Sequence, residues 1–153
     1  VFVASDLDVA RSPVGYPVDF CAMPWLDGSF RHVVFDPPYK LNGTGGSHGP
    51  DAAYGVANSV RWQDRMRLCR DGIVECLRVL DVGGVLLVKC QDQVCSGRVR
   101  WQTIEFSCHA EAHGARLVDM LHLVSYRAQP VGRRQVHARR NYSTMLVLEK
   151  VAW

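Results

Sequence analysis

His32-Val33-Val34-Phe35-Asp36-Pro37-Pro38-Tyr39, in one-letter form HVVFDPPY, is the stretch whose reading decides the fold. A short apolar, β-branched run closed by turn residues is the pattern of a buried strand. Asp36 precedes a proline and is therefore pushed into an extended conformation, and neither Pro37 nor Pro38 has a backbone N–H to donate. The run thus ends in a rigid loop that offers acceptors, namely the Asp36 carboxylate and nearby backbone carbonyls, with the ring of Tyr39 beside them. A plain Pro-Pro turn closing a strand is the simpler alternative.

Working outward, residues 40–58 hold five Gly and one Pro and show no apolar periodicity. A stretch of this length without structure inside a compact domain is a functional loop or a disordered one. Its segment Gly43-Thr44-Gly45-Gly46-Ser47-His48-Gly49 fails the phosphate-loop pattern, which needs a Gly-Lys-Ser/Thr ending, and fails G-x-G-x-x-G at His48. It is expected to be a flap near the target of Asp36, or plain disorder. Trp62, Met66, Cys69, Ile73, Cys76, Leu77 and Leu80 then form one helical stripe, with Ser59 as candidate N-cap and Gly83 as candidate terminator. Val85–Val88 is wholly apolar and is expected to be a strand buried on both faces, with Lys89, Gln91 and Asp92 at its polar exit. A second helix is expected over about 100–113, ended by Gly114. Arg116–Val124 and Thr144–Val151 are expected to be the last two strands. Upstream, Val1–Ala4 and Val18–Phe20 are expected to be short strands, the first ending in Ser5-Asp6-Leu7-Asp8. Strands alternating with helices place the chain in the α/β class.

The 153 residues are 48% hydrophobic and 22% charged, which fits one globular domain and excludes a disordered chain. No apolar run is long enough to span a membrane, and since no basic stretch leads into an apolar one at the start, no signal peptide is expected. The six cysteines form no C-x-x-C pair, which favours reduced, buried thiols and a cytoplasmic protein over a disulfide framework. The net charge of +3 is unevenly spread. Arg127, Arg133, Arg134, Arg139 and Arg140 fall within 127–140 with no acid among them. Guanidinium forks suit phosphates and base edges, so this is the candidate nucleic-acid-binding segment; a solvated loop face is the alternative. His109 and His113 stand four apart, but Ala110 occupies the position where a zinc-protease motif needs Glu, and no metal site is expected.

Two acceptors beside an aromatic face suit one target, an exocyclic amine on a planar base. Its lone pair is delocalised into the ring, and acceptors on both N–H groups favour the pyramidal nitrogen that develops during attack. Tyr39 could stack on the base and align that nitrogen.

Asp36-Pro37-Pro38-Tyr39 resembles the catalytic tetrapeptide of class I amino-methyltransferases that use S-adenosylmethionine, especially DNA adenine-N6 and cytosine-N4 enzymes. Val18–Phe30, VDFCAMPWLDGSF, is similar to the segment that contacts the cofactor's adenine, which would place Asp19 and Phe20 around it. Asp6 and Asp8 resemble the acids that bind the ribose hydroxyls. The resemblance implies a Rossmann-like sheet ending in an antiparallel strand pair, S-adenosyl-L-methionine as cofactor, and catalysis by Asp36, Pro37, Pro38 and Tyr39. It implies transfer to an exocyclic amino nitrogen of a base in double-stranded DNA, with the base flipped out; Asp at the first position leans to adenine N6, and cytosine N4 stays open. Cytosine-C5 chemistry is excluded, since no Pro-Cys pair occurs. An RNA base methyltransferase and a catalytically silent nucleic-acid-binding module remain alternatives. The glycine-rich first motif and the strand before it do not occur in this sequence, so residues 1–153 are expected to be a single catalytic domain truncated at its N-terminus.

Overall fold

A computed structural model of the chain describes residues 2–41, 61–126, 136–138 and 140–151. HVVF lies in strand β1 (Phe30–Phe35), followed in chain order by helix α1 (Trp62–Val79), β2 (Leu80–Cys90), β3 (Gln93–Cys95), β4 (Arg98–Arg100), helix α2 (Gln102–Ala112), β5 (Ala115–Val124) and β6 (Tyr142–Lys150). Four strands make one sheet in the order β1-β2-β6-β5, while β3 and β4 form a separate hairpin. β1 and β2 are parallel, and β6 is antiparallel to both β2 and β5. The mixed α/β sheet with an antiparallel terminal pair is the expected class.

One face of the sheet carries the core. Leu86 and Val88 of β2, Leu146 and Leu148 of β6 and Phe35 of β1 pack against Met66, Ile73 and Leu77 of α1 and Phe106 and Ala110 of α2. Both helices therefore cover the same side. The expectation that β2 is buried on both faces is corrected accordingly: its exposures alternate, with Val85, Leu87 and Lys89 only half-buried on the opposite face. β1 is likewise an edge strand among the described residues, and Val34 is 65% exposed rather than buried.

Three further expectations need correction. Residues 2–4 and Val18–Phe20 are not strands. Asp6 Oδ1 accepts from the Asp8 N–H at 2.8 Å, and Asp19 Oδ1 from the Cys21 N–H at 2.8 Å. Such self-bonding bends the backbone away from a sheet ladder. Asp8 instead caps a one-turn 3-10 helix, Val9–Arg11. Gly83 does not end α1, which passes straight into β2 at Leu80. The Leu80 side chain is buried and its carbonyl accepts from Lys150 Nζ at 2.7 Å, so the chain is pinned there. Gly83 (φ +77°) lies instead where β2 loops out between the Phe30–Leu80 and His32–Val85 pairs. The candidate cap Ser59 and the Gly-rich stretch 43–49 lie outside the described residues.

Gly72 of α1 is required by a close approach. A Cβ there would fall 2.5 Å from Phe35 Cζ and 2.7 Å from Phe20 Cδ2, two rings that pack edge-on at 5.1 Å. In an open helix Gly→Ala stabilises by about 1 kcal/mol. Here overpacking wins, and Gly72→Ala is expected to destabilise by about 1–2 kcal/mol in urea denaturation.

All six cysteines are unpaired. Burial pushes the Cys69 and Cys90 thiols up to about 12, and burial followed by Asp19, Asp71 and Glu75 pushes Cys21 up to about 11. With a thiol reagent at neutral pH, Cys108 is expected to react fast and Cys21 slowly. Cys69, Cys76, Cys90 and Cys95 should react only on unfolding, as mass spectrometry of the labelled peptides would check.

Candidate active site

β1 ends in Phe35, and Asp36 begins the loop at the carboxyl ends of the parallel pair β1 and β2, where open α/β sheets place their ligands. The Asp36 carboxylate is half exposed and pairs through Oδ2 with Lys89 Nζ, near the carboxyl end of β2, at 2.9 Å. The same ammonium lies 5.6 Å from the centre of the Tyr39 ring. Asp36, Lys89 and Tyr39 thus form one cluster.

The loop is braced from within and without. The Tyr39 N–H donates to the Pro37 carbonyl at 2.7 Å. The Tyr39 carbonyl accepts from Gln93 Nε2 at 2.9 Å and from Gln102 Nε2 at 2.6 Å. The Gln93 side chain also accepts from the Leu41 N–H at 3.2 Å, and Gln102 Oε1 accepts from the Gln91 N–H at 2.9 Å. With the Pro37 and Tyr39 carbonyls engaged internally, the Asp36 carboxylate is the acceptor side chain that the loop presents.

Two of the three front acids, Asp6 and Asp19, are tied to one segment that packs on the end of β1. The Val18 N–H donates to the Asp6 carbonyl at 3.0 Å, which sets Asp6 beside Asp19 and Phe20. Phe20 in turn packs on Phe35, the residue before Asp36. Asp6 and Asp19 each use one carboxylate oxygen on a local N–H, and both are partly or fully exposed. Asp8 is differently employed: Oδ1 caps Ala10 and Oδ2 lies 3.5 Å from Arg11 Nε. Asp6 and Asp19 thus each keep a second carboxylate oxygen as an acceptor, with Phe20 as an apolar neighbour. Carboxylate acceptors beside an aromatic ring fit the nucleoside half of S-adenosyl-L-methionine.

Gln91 and Asp92 are committed to structure. Asp92 is buried, accepts from the Thr103 N–H and hydroxyl at 3.0 Å each, and so caps α2; Tyr142 Oη reaches its other oxygen at 3.3 Å. Gln91 Nε2 donates to the Tyr142 carbonyl. Of the arginine segment, Arg127, Arg133, Arg134 and Arg139 lie outside the described residues. Arg140 is described, its guanidinium 4.7 Å above the Trp101 ring. His109 and His113 stack at 4.3 Å, and burial holds His109 below the usual histidine range. Among the described residues no group of three His, Cys, Asp or Glu is placed to hold a metal ion, and no helix is long and apolar enough to cross a membrane.

Sequence reading missed two supports. The first is the β3–β4 hairpin that carries Gln93. Its signal was Ser96-Gly97 between two alternating triplets, a dipeptide suited to the positive φ values of 53° and 72° found there. The second is Arg78. Its guanidinium donates to the carbonyls of Met23 and Trp25, to Asp27 Oδ1, and to both oxygens of Glu75, at 2.6–3.0 Å. That fork ties the segment after Phe20 to the end of α1.

No family model matches the chain, and neither does any curated protein. Solved structures do match. The cytosine-N4-specific PvuII DNA methyltransferase gives a TM-score of 0.63 over 90% of this chain and 49% of its own, at 13% identity. A provisionally assigned DNA modification methylase from Thermus thermophilus, complexed with S-adenosyl-L-methionine, gives 0.58 over 85% of this chain and 51% of its own, at 16% identity. The (4+2)-cyclase SpnF gives 0.51 over 90% and 55%, at 15% identity. The chain thus has the Rossmann-like fold of these proteins and spans about half the length of each. A cyclase in the same set illustrates that the fold alone does not name a reaction.

Proposed function

We propose that this chain is the catalytic part of an S-adenosyl-L-methionine-dependent methyltransferase acting on an exocyclic amino nitrogen of a nucleic-acid base, adenine N6 in DNA. The observation that carries this reading is the placement of Asp36-Pro37-Pro38-Tyr39 at the carboxyl end of β1, with the Tyr39 carbonyl locked by two glutamines and the segment of Asp6 and Asp19 packed alongside. S-adenosyl-L-methionine supplies an electrophilic methyl group. Asp6 and Asp19 would hold its ribose and adenine, beside Phe20. Asp36, with one oxygen on Lys89, would accept an N–H of the target amine through the other, and Tyr39 would stack on the flipped base. An aspartate at the first position of the tetrapeptide favours adenine over cytosine. The matches to DNA methylases support nucleic acid as the substrate class.

The test is incubation of the chain with labelled S-adenosyl-L-methionine and, separately, unmethylated duplex DNA and RNA, followed by digestion and nucleoside analysis. N6-methyldeoxyadenosine is the expected product. Label in cytosine N4 would move the target base, and label in RNA alone would favour an RNA enzyme. A second reading, a silent nucleic-acid-binding module, is favoured by one observation: Lys89 already pairs with the Asp36 carboxylate. Absence of both label and S-adenosylhomocysteine binding would select it.

A further inference from the structure

The β3–β4 hairpin has no part in the sheet, yet it is clasped to the candidate catalytic loop through Gln93, which holds both the Tyr39 carbonyl and the Leu41 N–H. Its return strand carries Arg98 and Arg100. Arg98 is exposed, and Arg100 lays its guanidinium 3.7 Å from the centre of the Trp62 ring. Arg100 Nε has no hydrogen-bond partner among the described residues, so the indole face, not a carboxylate, holds this cation. Directly after the hairpin comes Trp101, 46% exposed, with Arg140 stacked on it at 4.7 Å. Arg140 arrives from the far end of the chain, so sequence-distant cations converge on this one element. Among the described residues none of these three arginines is in an ion pair.

Arginines interleaved with tryptophans beside a base pocket are a combination suited to a nucleic-acid strand. Guanidinium groups take phosphates, and an indole offers a π-face to a neighbouring base. An acidic protein surface would be served by the cations alone and has no use for the exposed indole. From this geometry we infer that the hairpin Gln93–Arg100, with Trp101 and Arg140, is a nucleic-acid contact surface. It grips the sugar–phosphate backbone of the strand that carries the target base, next to the nucleotide presented to Asp36. The inference rests on the proposed function for the identity of that pocket, but binding itself is measured separately.

The experiment uses the full chain and fluorescein-labelled oligonucleotides of about 20 base pairs, with matching single strands of DNA and RNA, read by anisotropy over a salt series. Arg98→Ala is expected to weaken binding about threefold to tenfold, and to reduce the slope of log affinity against log salt by about one. Arg98→Glu should weaken it more, and Trp101→Ala should weaken single-strand binding with little change in slope. Circular dichroism and S-adenosylhomocysteine titration of Arg98→Glu serve as controls, since Arg98 is exposed and among the described residues makes no bond to the loop. Binding by Arg98→Glu within twofold of the parent, at unchanged slope, would overturn the inference, as would no binding of any oligonucleotide by the parent chain. Arg98-dependent binding in a chain that takes no S-adenosylhomocysteine would leave this surface standing while the proposed function fails. Cofactor binding with Arg98-independent affinity would do the reverse.

Discussion

Methyl transfer by the Asp36→Ala variant is expected to fall at least about a hundredfold, with folding intact. The size follows from the part assigned to the carboxylate, an acceptor whose hydrogen bond strengthens as the amine nitrogen pyramidalises; loss of one such preorganised partner costs on the order of a hundredfold in rate. Intact folding follows from exposure. The Asp36 side chain is 53% exposed and its bond is to Lys89, and an ion pair at such a surface contributes about 0–1 kcal/mol. Asp36→Asn retains an acceptor oxygen and should lose less than the alanine variant. Single-turnover transfer of labelled methyl groups, alongside thermal unfolding, checks both. Activity of the alanine variant within threefold of the parent would remove Asp36 from the chemistry.

The second large effect concerns stability. Arg78→Ala is expected to cost about 3 kcal/mol in urea denaturation at pH 7, because it strips the donors from the Met23 and Trp25 carbonyls and leaves Glu75 half-buried without its cation. Arg78→Lys should recover little of this, since one ammonium cannot reproduce a fork that serves four residues on two chain segments. The pH dependence tests the assignment. The hydrogen bond from Arg78, and after it the Met23 N–H, holds the Glu75 carboxyl below its usual range against the opposing effect of burial. A carboxylate whose pKa is depressed in the folded state adds stability above its unfolded pKa, and that stability is lost as pH falls through the folded one. The gap between parent and Arg78→Ala should therefore be full at pH 7 and shrink as pH drops below about 4.5. A gap independent of pH would place the cost in the carbonyls alone.

The first helix and the last strands were legible in sequence because their signals are long: a stripe from Trp62 to Leu80, and largely apolar runs of eight or more residues in β5 and β6, the latter with burial that alternates from Ser143 onward. The short elements were not. The short apolar runs Phe2–Ala4 and Val18-Asp19-Phe20 look like strands until one counts what Asp6 and Asp19 do with their own carboxylates, a competition that periodicity does not weigh. The candidate site divides the same way. Asp36 to Tyr39 declared itself through two consecutive prolines, whose constraints are local. Gln93, Gln102 and Arg78 act across more than fifty residues of chain, on backbone carbonyls that any residue could supply. No pattern along the sequence marks such partners.

The strand order has a kinetic consequence. β6, the last strand in sequence, lies between β2 and β5 rather than at an edge. Neither neighbour can complete its hydrogen-bond ladder until residues 142–150 arrive, and among the described residues β5 has no other partner in the sheet. A ribosome that has released everything up to Val124 therefore holds two unjoined half-sheets, with a parallel pair on one side and a lone strand on the other. Closing that gap requires long-range contacts to form late, the circumstance in which folding is slow and exposed strands find the wrong neighbours. Insertion of β6 between β2 and β5 is thus a late event of folding, and the bonds of Gln91 and Asp92 to Tyr142 at the head of that strand are among those that wait for it.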